Sequence, residues 1–524
     1  MQHLPLEIVD RIVHFLAGGS DAGRITRGGR QRIAPYALIS SQFLEAVQRR
    51  VWRSLFITNY HLAECARYLQ GRRPGCLRKL KYCINLSVVE TANLQRYERP
   101  VETAAVSDEF RQHLDRLFDM LHGLDRNCAQ GSGGPGAMQR QNVKMNLRLV
   151  GVHHLEAPAD MSYHSPNFGR YRHGRTRIAL PRADELPMIH CVRRLSFGRW
   201  RRQPIPSVQL EIAARMLGLT ELVLRLNEYG AEYPALLREG RRSLAEALAI
   251  YSEHTKDIIH AALIIPLDGY TSTRQMALPN LTYPQGYELL GSALRKWSQR
   301  LTSFRVEGIL DGTLFWPQTR EKDDKGAADE PEWQSLQYLD VRLGSHTPSG
   351  WWYFMPEGDP TYGRPPRDPA VDPKDQPPLL PDNEPTGPPD PFLGIMDDDS
   401  DSDDEERMLR SVPHEDTMQP LFEAWAKALG RMPSLRTARL RFQTYKEEWE
   451  VVYEAPGYKD TMWYSMLGLE ERGCRRLVFH NTGDWRPVEK TMNLLLAKGS
   501  VSWSSTHMIV LTAERNKIVR EVGM

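Results

Sequence analysis

The chain has 524 residues, 41% hydrophobic and 26% charged, a composition typical of a globular protein with two or three domains or one extended repeat array. Its net charge of +2 argues against strong overall attraction to nucleic acid or membrane, and its six scattered cysteines argue against a disulfide framework. Since no run of about 18 apolar residues occurs and acids interrupt the N-terminal stretch, we expect no membrane span, no signal peptide and a cytoplasmic or nuclear location.

The N-terminal stretch predicts short amphipathic helices. Pro5 suits the first position of a helix, and Ile8, Ile12, Phe15 and Leu16 follow at helical spacing. After a gap rich in Gly and Arg, a second helix is predicted to open at Pro35, with its apolar residues at Leu38, Ile39, Phe43, Leu44, Val47, Trp52 and Leu55. Helices this short cannot bury enough surface alone, so their apolar faces must meet the remainder of the chain or a partner.

The order LP-x-E-I-x-x-x-I-x-x-F-L, then A-L-I-S-x-x-F, then V-W-R-S-L resembles an F-box, the module by which substrate receptors dock on the Skp adaptor of SCF-type ubiquitin ligases. The resemblance covers residues 1–57 and implies a three-helix module. The adaptor-binding face that it implies consists of Leu4, Pro5, Ile8, Ile12, Leu16, Leu38, Phe43, Trp52 and Leu55. The gap at residues 17–34 is longer than in the family, and we interpret it as an inserted loop. The alternative is a helical cap on a larger domain.

A leucine followed by alternating apolar residues recurs through residues 58–524. The pattern L-x-x-L-x-L-x-x-N fits Leu77, Leu80, Tyr82 and Asn85, and again Leu219, Leu222, Leu224 and Asn227. Related segments begin at Val192, Leu301, Leu336, Leu435 and Cys474. Such alternation predicts strands with one buried face, and an asparagine just after the strand can bond to turn backbone.

Helical patterns separate these strands. They are predicted at residues 61–69, 206–217, 287–301 and 421–429, and in a helix capped by Ser107 whose face carries Phe110, Leu114, Leu117, Leu121 and Leu124. Alternating strands and helices indicate parallel strands with helical crossovers. The arrangement resembles a leucine-rich-repeat solenoid, so the predicted fold class is α/β, an F-box followed by an irregular repeat-like solenoid. An ordinary doubly wound α/β domain is the alternative.

A long interruption covers residues 357–413, which are crowded with proline and then acidic. Such a segment lacks the apolar surface to offset the entropy of ordering, and we expect a disordered insertion within the domain. Ser400 and Ser402 lie in its run DDDSDSDDEE, which resembles sites for acid-directed kinases, although the run could serve only as a solvating spacer.

No motif predicts an active site. The chain has no C-x-x-C, G-x-S-x-G or H-E-x-x-H, so we expect no enzyme, no cofactor and no metal. A basic stretch at residues 170–177 continues with Arg193, Arg194, Arg199, Arg201 and Arg202. With Tyr171 and Trp200 among them, these arginines could contact phosphates or recognise an acidic or phosphorylated partner. The near-zero net charge favours instead a solvated rim or a counterpart for the chain's own acidic run.

These features predict a non-catalytic substrate receptor that binds the Skp adaptor and cullin through the F-box and a target protein through the repeats. Arg194, Arg225, Arg342 and Arg439 fall at outward strand positions, where they would form a basic strip for an acidic or phosphorylated target. The alternatives are arginines that serve only solubility, a ligase-independent scaffold, and a nucleic-acid-binding protein that uses the cluster from Arg170 to Arg202.

Overall fold

The computed structural model describes the chain in segments that leave out several stretches. The described residues are 5–16, 33–69, 73–86, 98–130, 144–153, 176–198, 200, 202–226, 234–252, 255–266, 280–282, 286–318, 330–356, 410–443, 448–455, 475–482, 485–497, 506–511 and 518–521. The predictions for Leu4, Asn227, Ser400, Ser402 and most of residues 357–413 therefore lie outside the described residues.

Helices and strands alternate along these segments. The helices are α1 (Leu6–Leu16), α2 (Ser41–Trp52), α3 (Leu62–Tyr68), α4 (Pro100–Gln130), α5 (Pro206–Ala214), α6 (Pro234–Ile250), α7 (Leu289–Ser298), α8 (Glu415–Gly430) and α9 (Glu489–Ala497). The strands are β1 (Ser54–Thr58), β2 (Lys79–Leu86), β3 (Met145–His153), β4 (Val192–Phe197), β5 (Glu221–Arg225), β6 (His260–Ile264), β7 (Ser303–Gly308), β8 (Tyr338–Leu343), β9 (Phe354–Pro356), β10 (Arg410–Pro413), β11 (Thr437–Gln443), β12 (Glu448–Glu454), β13 (Arg475–His480), β14 (Thr506–Leu511) and β15 (Ile518–Glu521).

Thirteen of the described strands form one sheet whose spatial order follows the chain, from β1 to β8 and then from β11 to β15. Pairing is parallel from β1 through β8 to β11, which confirms an α/β fold with a largely parallel sheet. The order never reverses among these strands, whereas a doubly wound sheet has a point where it does.

The end of the sheet departs from the predicted parallel pattern. Strand β12 pairs antiparallel with both β11 and β13, and β14 pairs antiparallel with β15. The cause at the first of these turns is chain length, since only four residues separate Gln443 from Glu448. A parallel crossover needs a dozen or more, so the chain must turn back as a hairpin.

The core lies on one face of the sheet. Alternate residues of β5 to β8 are buried, among them Leu222, Leu263, Val306 and Val341, and they join one apolar cluster with the helices. The predicted face of α4 is buried in the same cluster. However, α4 begins at Pro100, so Ser107 is no N-cap: its hydroxyl donates to the Thr103 carbonyl at 2.8 Å.

The N-terminal helices have a small core of their own, formed by Val9, Val13, Ile33, Ala46 and Val47. Here the prediction of one helix from Pro35 is wrong. Residues Ala34–Leu38 form a short 3₁₀ helix, and α2 starts anew at Ser41 because the Ser40 hydroxyl accepts the Phe43 N–H at 3.3 Å.

The predicted disorder of residues 357–413 is wrong at its C-terminal end. Strand β10 pairs antiparallel with β9, and the chain then enters α8. The ladder supplies partners for the backbone polar groups of these two strands. None of the described helices combines the length and apolar character needed to cross a membrane.

Candidate interaction surfaces

The first candidate surface is an exposed apolar face on the N-terminal helices. Five large side chains of this small unit are exposed: Ile8 (40%), Phe15 (80%), Leu38 (90%), Ile39 (60%) and Leu44 (42%). The unit forms its own core from Val9, Val13 and their neighbours, and none of these five side chains belongs to it. Such a concentration of exposed apolar residues is typical of a protein interaction site.

The structure divides the predicted adaptor-binding residues into two groups. Pro5, Ile8 and Leu38 are exposed, whereas Ile12, Leu16, Phe43 and Trp52 are half-buried. Leu16 and Phe43 pack on the small core, and Trp52 packs against the main core and lies 6.4 Å from the ring of Tyr68.

Leu55 is misassigned by the sequence. It lies in β1, which pairs with β2, and it is buried in the main core. The sheet therefore begins at Ser54, within the stretch attributed to the F-box, and Leu55 is not available to a partner. Phe15, Ile39 and Leu44 are exposed instead, although the adaptor-binding set omits them. Helical spacing marks all three as apolar, but it does not show which apolar residues face the core and which face solvent.

The second candidate surface is the sheet face that points away from the core, called the outer face below. Strand register aligns its residues into rows, with neighbours about 4.8 Å apart across the sheet. One row runs across ten strands: Phe56, Lys81, Arg148, Ser196, Val223, Ala262, Arg305, Asp340, Arg439 and Val452. The outer face is thus a regular array of side chains drawn from segments far apart in sequence.

From β7 to β12 the outer face is a network of opposite charges. Asp340 accepts from Arg441 at 2.5 Å and lies 3.5 Å from Arg305. Glu448 lies 3.5 Å from both Arg441 and Arg342. Further along, the outer face is itself buried at Val452 and at Glu450, and burial raises the pKa of the Glu450 carboxyl against the opposing effect of neighbouring arginines. Arginines in this half are therefore neutralised within the protein.

From β1 to β4 the outer face and the strand starts carry cations without carboxylates. Eight exposed side chains make up this basic face: Arg53, Arg78, Lys79, Lys81, Lys144, Arg148, Arg193 and Arg194. Residues 53–58, 77–86, 144–150 and 192–198 contain no Asp or Glu. Among the described residues, the carboxylate paired with this set is Glu221 on β5, 3.2 Å from Arg194. Lys81 also lies over the ring of Phe56, 4.8 Å from its centre.

The four arginines predicted to bind the target all lie at outer-face positions, but they do not form a basic strip. Arg194 pairs with Glu221, and Arg342 lies 3.8 Å from Glu307. Arg439 stands in the row of Asp340 and beside Glu450, and Arg225 is half-buried. The prediction of a strip is wrong because acids occupy intervening positions that only strand register reveals.

The predicted phosphate-contacting cluster is also altered. Arg202 is fully buried, with its guanidinium 2.8 Å from Glu98, whose carboxylate also accepts the Thr176 hydroxyl at 2.5 Å. Trp200 is buried edge-on against Phe110, with ring centres 5.7 Å apart. Neither side chain is available to nucleic acid, while residues 170–175, Arg199 and Arg201 lie outside the described residues.

A cavity of about 420 Å³ lies beside α8 and the turn after β7. Its lining combines Trp316 and Trp351 with Asp311 and Lys427, and Lys427 lies 5.9 Å from the centre of the Trp316 ring. The Thr313 N–H and hydroxyl both donate to Asp311, although burial raises the pKa of this carboxyl to about 6. Asp311 is held by Thr313, and Lys427 lies 2.8 Å from Glu423, so these two charged groups already have partners within the protein, and we assign no reactive site to the cavity.

Comparison with known proteins adds no relative: no protein-family model matches the chain, and no curated protein matches it. Across the described part of the chain, no three His, Cys, Asp or Glu side chains come together to hold a metal ion. The two surfaces are therefore the basis on which a function can be argued.

Proposed function

We propose that this protein is the substrate-recognition subunit of an SCF-type ubiquitin ligase, with the Skp adaptor bound to the exposed apolar face of the N-terminal helices and a target held by the sheet. The observation that carries the proposal is that apolar face. A helical cap would place its apolar side chains against the sheet. Instead, α2 packs on the main core through Trp52, and Ile8, Phe15 and Leu38 remain exposed.

Complete burial of a fully exposed large apolar side chain contributes about 1.5–3 kcal/mol. Ile8, Phe15 and Leu38 are 40%, 80% and 90% exposed, so their burial would contribute about 3–6 kcal/mol, of the order of the ~4 kcal/mol between micromolar and nanomolar affinity. A partner with a complementary apolar groove would therefore bind here without any buried charge.

The sheet supports the second half of the proposal. Its parallel strands follow chain order and bury one face, the arrangement of a repeat-like solenoid whose units stack on their neighbours. Such solenoids present a broad sheet face to partners, and here the outer face offers rows of charged side chains. The receptor acts by proximity, since it holds the target near a conjugating enzyme that performs the chemistry elsewhere. Cullin joins the complex through the adaptor.

The test uses two triple variants of the full chain in a co-purification assay with the Skp adaptor. The first replaces Ile8, Phe15 and Leu38 with Ala. The matched control replaces Leu217, Ile250 and Ile259 with Ala, since these are comparably exposed apolar residues elsewhere in the chain. We expect the first variant to lose at least about 100-fold in adaptor affinity, because each hot-spot truncation costs more than about 1 kcal/mol, and the control to keep it.

Circular dichroism is the control for folding, and we expect both variants to remain folded because the truncated side chains lie on the surface. Equal adaptor recovery with both variants would place the docking site elsewhere. If the parent chain recovers neither adaptor nor cullin from cell extract, the ligase assignment fails. A ligase-independent scaffold that uses the sheet alone then becomes the better explanation.

A further inference from the structure

The basic face is the least compensated charged region among the described residues. Seven of its eight cations lie just before, or at outer-face positions on, four consecutive parallel strands, and Arg193 lies at the register irregularity near the start of β4. Lys81 and Arg148 are register partners on neighbouring strands, and Lys79 and Arg194 lie in one row on either side of the uncharged Asn146. Like charges placed this close repel each other, so their gathering at one end of the sheet indicates a use other than stability.

The spacing of these cations suits an extended polyanion. Along a strand, Lys79 and Lys81 are two residues apart, about 6.6 Å at the usual rise, and across the sheet the neighbours are about 4.8 Å apart. In an extended polypeptide, side chains that share a face have the same spacing of about 6.6 Å. Carboxylates or phosphates at alternate residues of such a segment can therefore each meet a cation.

Nucleic acid matches the surface less well. Proteins that bind single strands combine a basic groove with aromatic side chains on which successive bases stack. Phe56 is an exposed aromatic residue on the described part of the basic face, but the Lys81 ammonium lies over its ring, 4.8 Å from the ring centre. This part of the surface therefore offers positive charge but no free aromatic ring on which a base could stack.

We infer that the basic face binds an acidic segment of a target protein, one with carboxylates or phosphoserines at alternate positions of an extended chain. The inference rests on the proposed function, because it names the class of target that the receptor would hold. It also corrects the sequence-based choice of arginines. The cations available to a partner are Lys79, Lys81 and Arg148, and the arginines of β8 and β11 have internal carboxylate partners.

The experiment measures fluorescence anisotropy of labelled 12-residue probes with the full chain at 50 mM salt. One probe alternates Glu with Ser, a second alternates phosphoserine with Gly, and a third replaces each Glu of the first with Gln. A fourth is a 12-nucleotide thymidylate strand. The test variant is Lys79→Glu, Lys81→Glu and Arg148→Glu. The control variant reverses three exposed cations elsewhere, Arg126→Glu, Lys256→Glu and Lys296→Glu, and so carries the same net charge.

We expect the Glu and phosphoserine probes to bind the parent and the control variant and to lose at least tenfold in affinity for the test variant. The Gln probe should bind none of them. A fifth probe, with Lys in place of each Glu of the first, should bind the test variant alone, a gain that misfolding cannot produce. A preference for either anionic probe identifies carboxylate or phosphate as the better ligand and supports the inference.

Three results would overturn it. Unchanged affinity of the test variant would mean that the basic face is not the site. Equal losses in both variants would reduce the effect to net charge, and tighter binding of thymidylate than of either peptide would identify nucleic acid as the partner. Adaptor co-purification with the same variants keeps this test separate from that of the proposed function. The adaptor should be retained in every case, and its loss in the parent would bear on the ligase assignment alone.

Discussion

The two halves of the outer face both carry basic side chains, but these side chains have different roles in the two halves. From β7 to β12, Arg342 and Arg441 stand among Glu307, Asp340 and Glu448, and the pairs join residues as distant in sequence as Arg342 and Glu448. From β1 to β4, eight exposed cations face solvent, and Glu221 supplies the carboxylate paired with them among the described residues. The residue type therefore does not reveal whether a basic side chain is available to a ligand. That depends on whether a carboxylate of the protein lies beside it.

The two halves differ physically in whether each cation is neutralised by a carboxylate of the protein itself. A cation with a fixed carboxylate beside it is already stabilised by that ion pair in the free protein. It contributes little to binding an anionic ligand, since the ligand would first have to break the pair. A cation surrounded by other cations is repelled in the free protein, and an anionic ligand relieves that repulsion. Charge removals placed along this scale, from buried pair to unpaired cation, test the comparison.

The largest effect is expected where both partners are buried. Glu98→Ala would leave the Arg202 guanidinium in the core without its carboxylate, at a cost of about 3–5 kcal/mol in the free energy of unfolding. Urea unfolding measures the loss. The double variant Glu98→Ala with Arg202→Met serves as the control and should recover most of it, because apolar residues of similar volume can replace a buried pair. A loss below about 1 kcal/mol in the single variant would show that water reaches this pair.

A second effect depends on pH and on His346, which follows β8. Burial, and then the charge of Arg241, lower the pKa of His346 to about 3. The unfolded chain therefore binds a proton below pH 6.5 that the folded chain refuses, so stability present above pH 6.5 is lost as the pH falls. At pH 5 the loss is about 2 kcal/mol, at 1.36 kcal/mol per pH unit.

The variant His346→Gln isolates this contribution. Asp311 acts in the opposite sense within the same window, because its pKa is raised to about 6, so the parent should lose less than His346 alone would remove. Urea unfolding at pH 7 and pH 5 should show a smaller acid loss in the variant than in the parent. The same pH dependence in both proteins would contradict the burial of His346 in its neutral form.

The third effect lies in the paired half of the outer face. Asp340→Asn removes a carboxylate shared by Arg441 and Arg305, both of them partly exposed, and we expect a loss of about 1–2 kcal/mol. The loss should shrink in 1 M salt, where screening is strong. Asp257→Asn is the matched control, an exposed acid in a loop, and it should change stability by less than about 0.5 kcal/mol. Equal effects of the two substitutions would remove the distinction between the halves.

Much of the fold was predictable from alternation alone. Segments such as Leu222–Leu224 and Leu339–Val341 point every second residue into the core, and the structure confirms them as strands. Strand β6 was not predicted from the sequence. Alanine occupies both an inward position, Ala261, and an outward position, Ala262, so the apolar and polar residues do not alternate clearly. Helix α6 is also absent from the prediction, although its leucines recur at helical spacing and could have revealed it.

The candidate sites were less predictable, for two physical reasons. Whether an outward arginine is free depends on register between distant strands, as with Arg441 and Asp340, and no local pattern encodes register. The end of the helical unit was misplaced because V-W-R-S-L is apolar in a way that suits either a helix or a strand. The lack of acids in the strands of the basic face, however, is legible in the sequence once the strands are known.

The smallest effect is expected to have the opposite sign. Arg148→Glu converts a like-charge pair with Lys81 into an ion pair, so it should stabilise the protein by about 0.2–1 kcal/mol at low salt and by nothing measurable in 1 M salt. The same substitution in the paired half, Arg441→Glu, places an acid among Asp340, Glu448 and Glu450 and should destabilise the protein. Urea midpoints at the two salt concentrations give both signs.

A gain in stability at Arg148 together with weaker binding of the acidic probe would show that the cation is kept for a ligand at the expense of the fold, a trade expected of functional residues. Loss of stability at Arg148 would mean that the cation has an internal anionic partner after all. The two halves of the outer face would then be alike, and the inference of an acidic target would lose its basis.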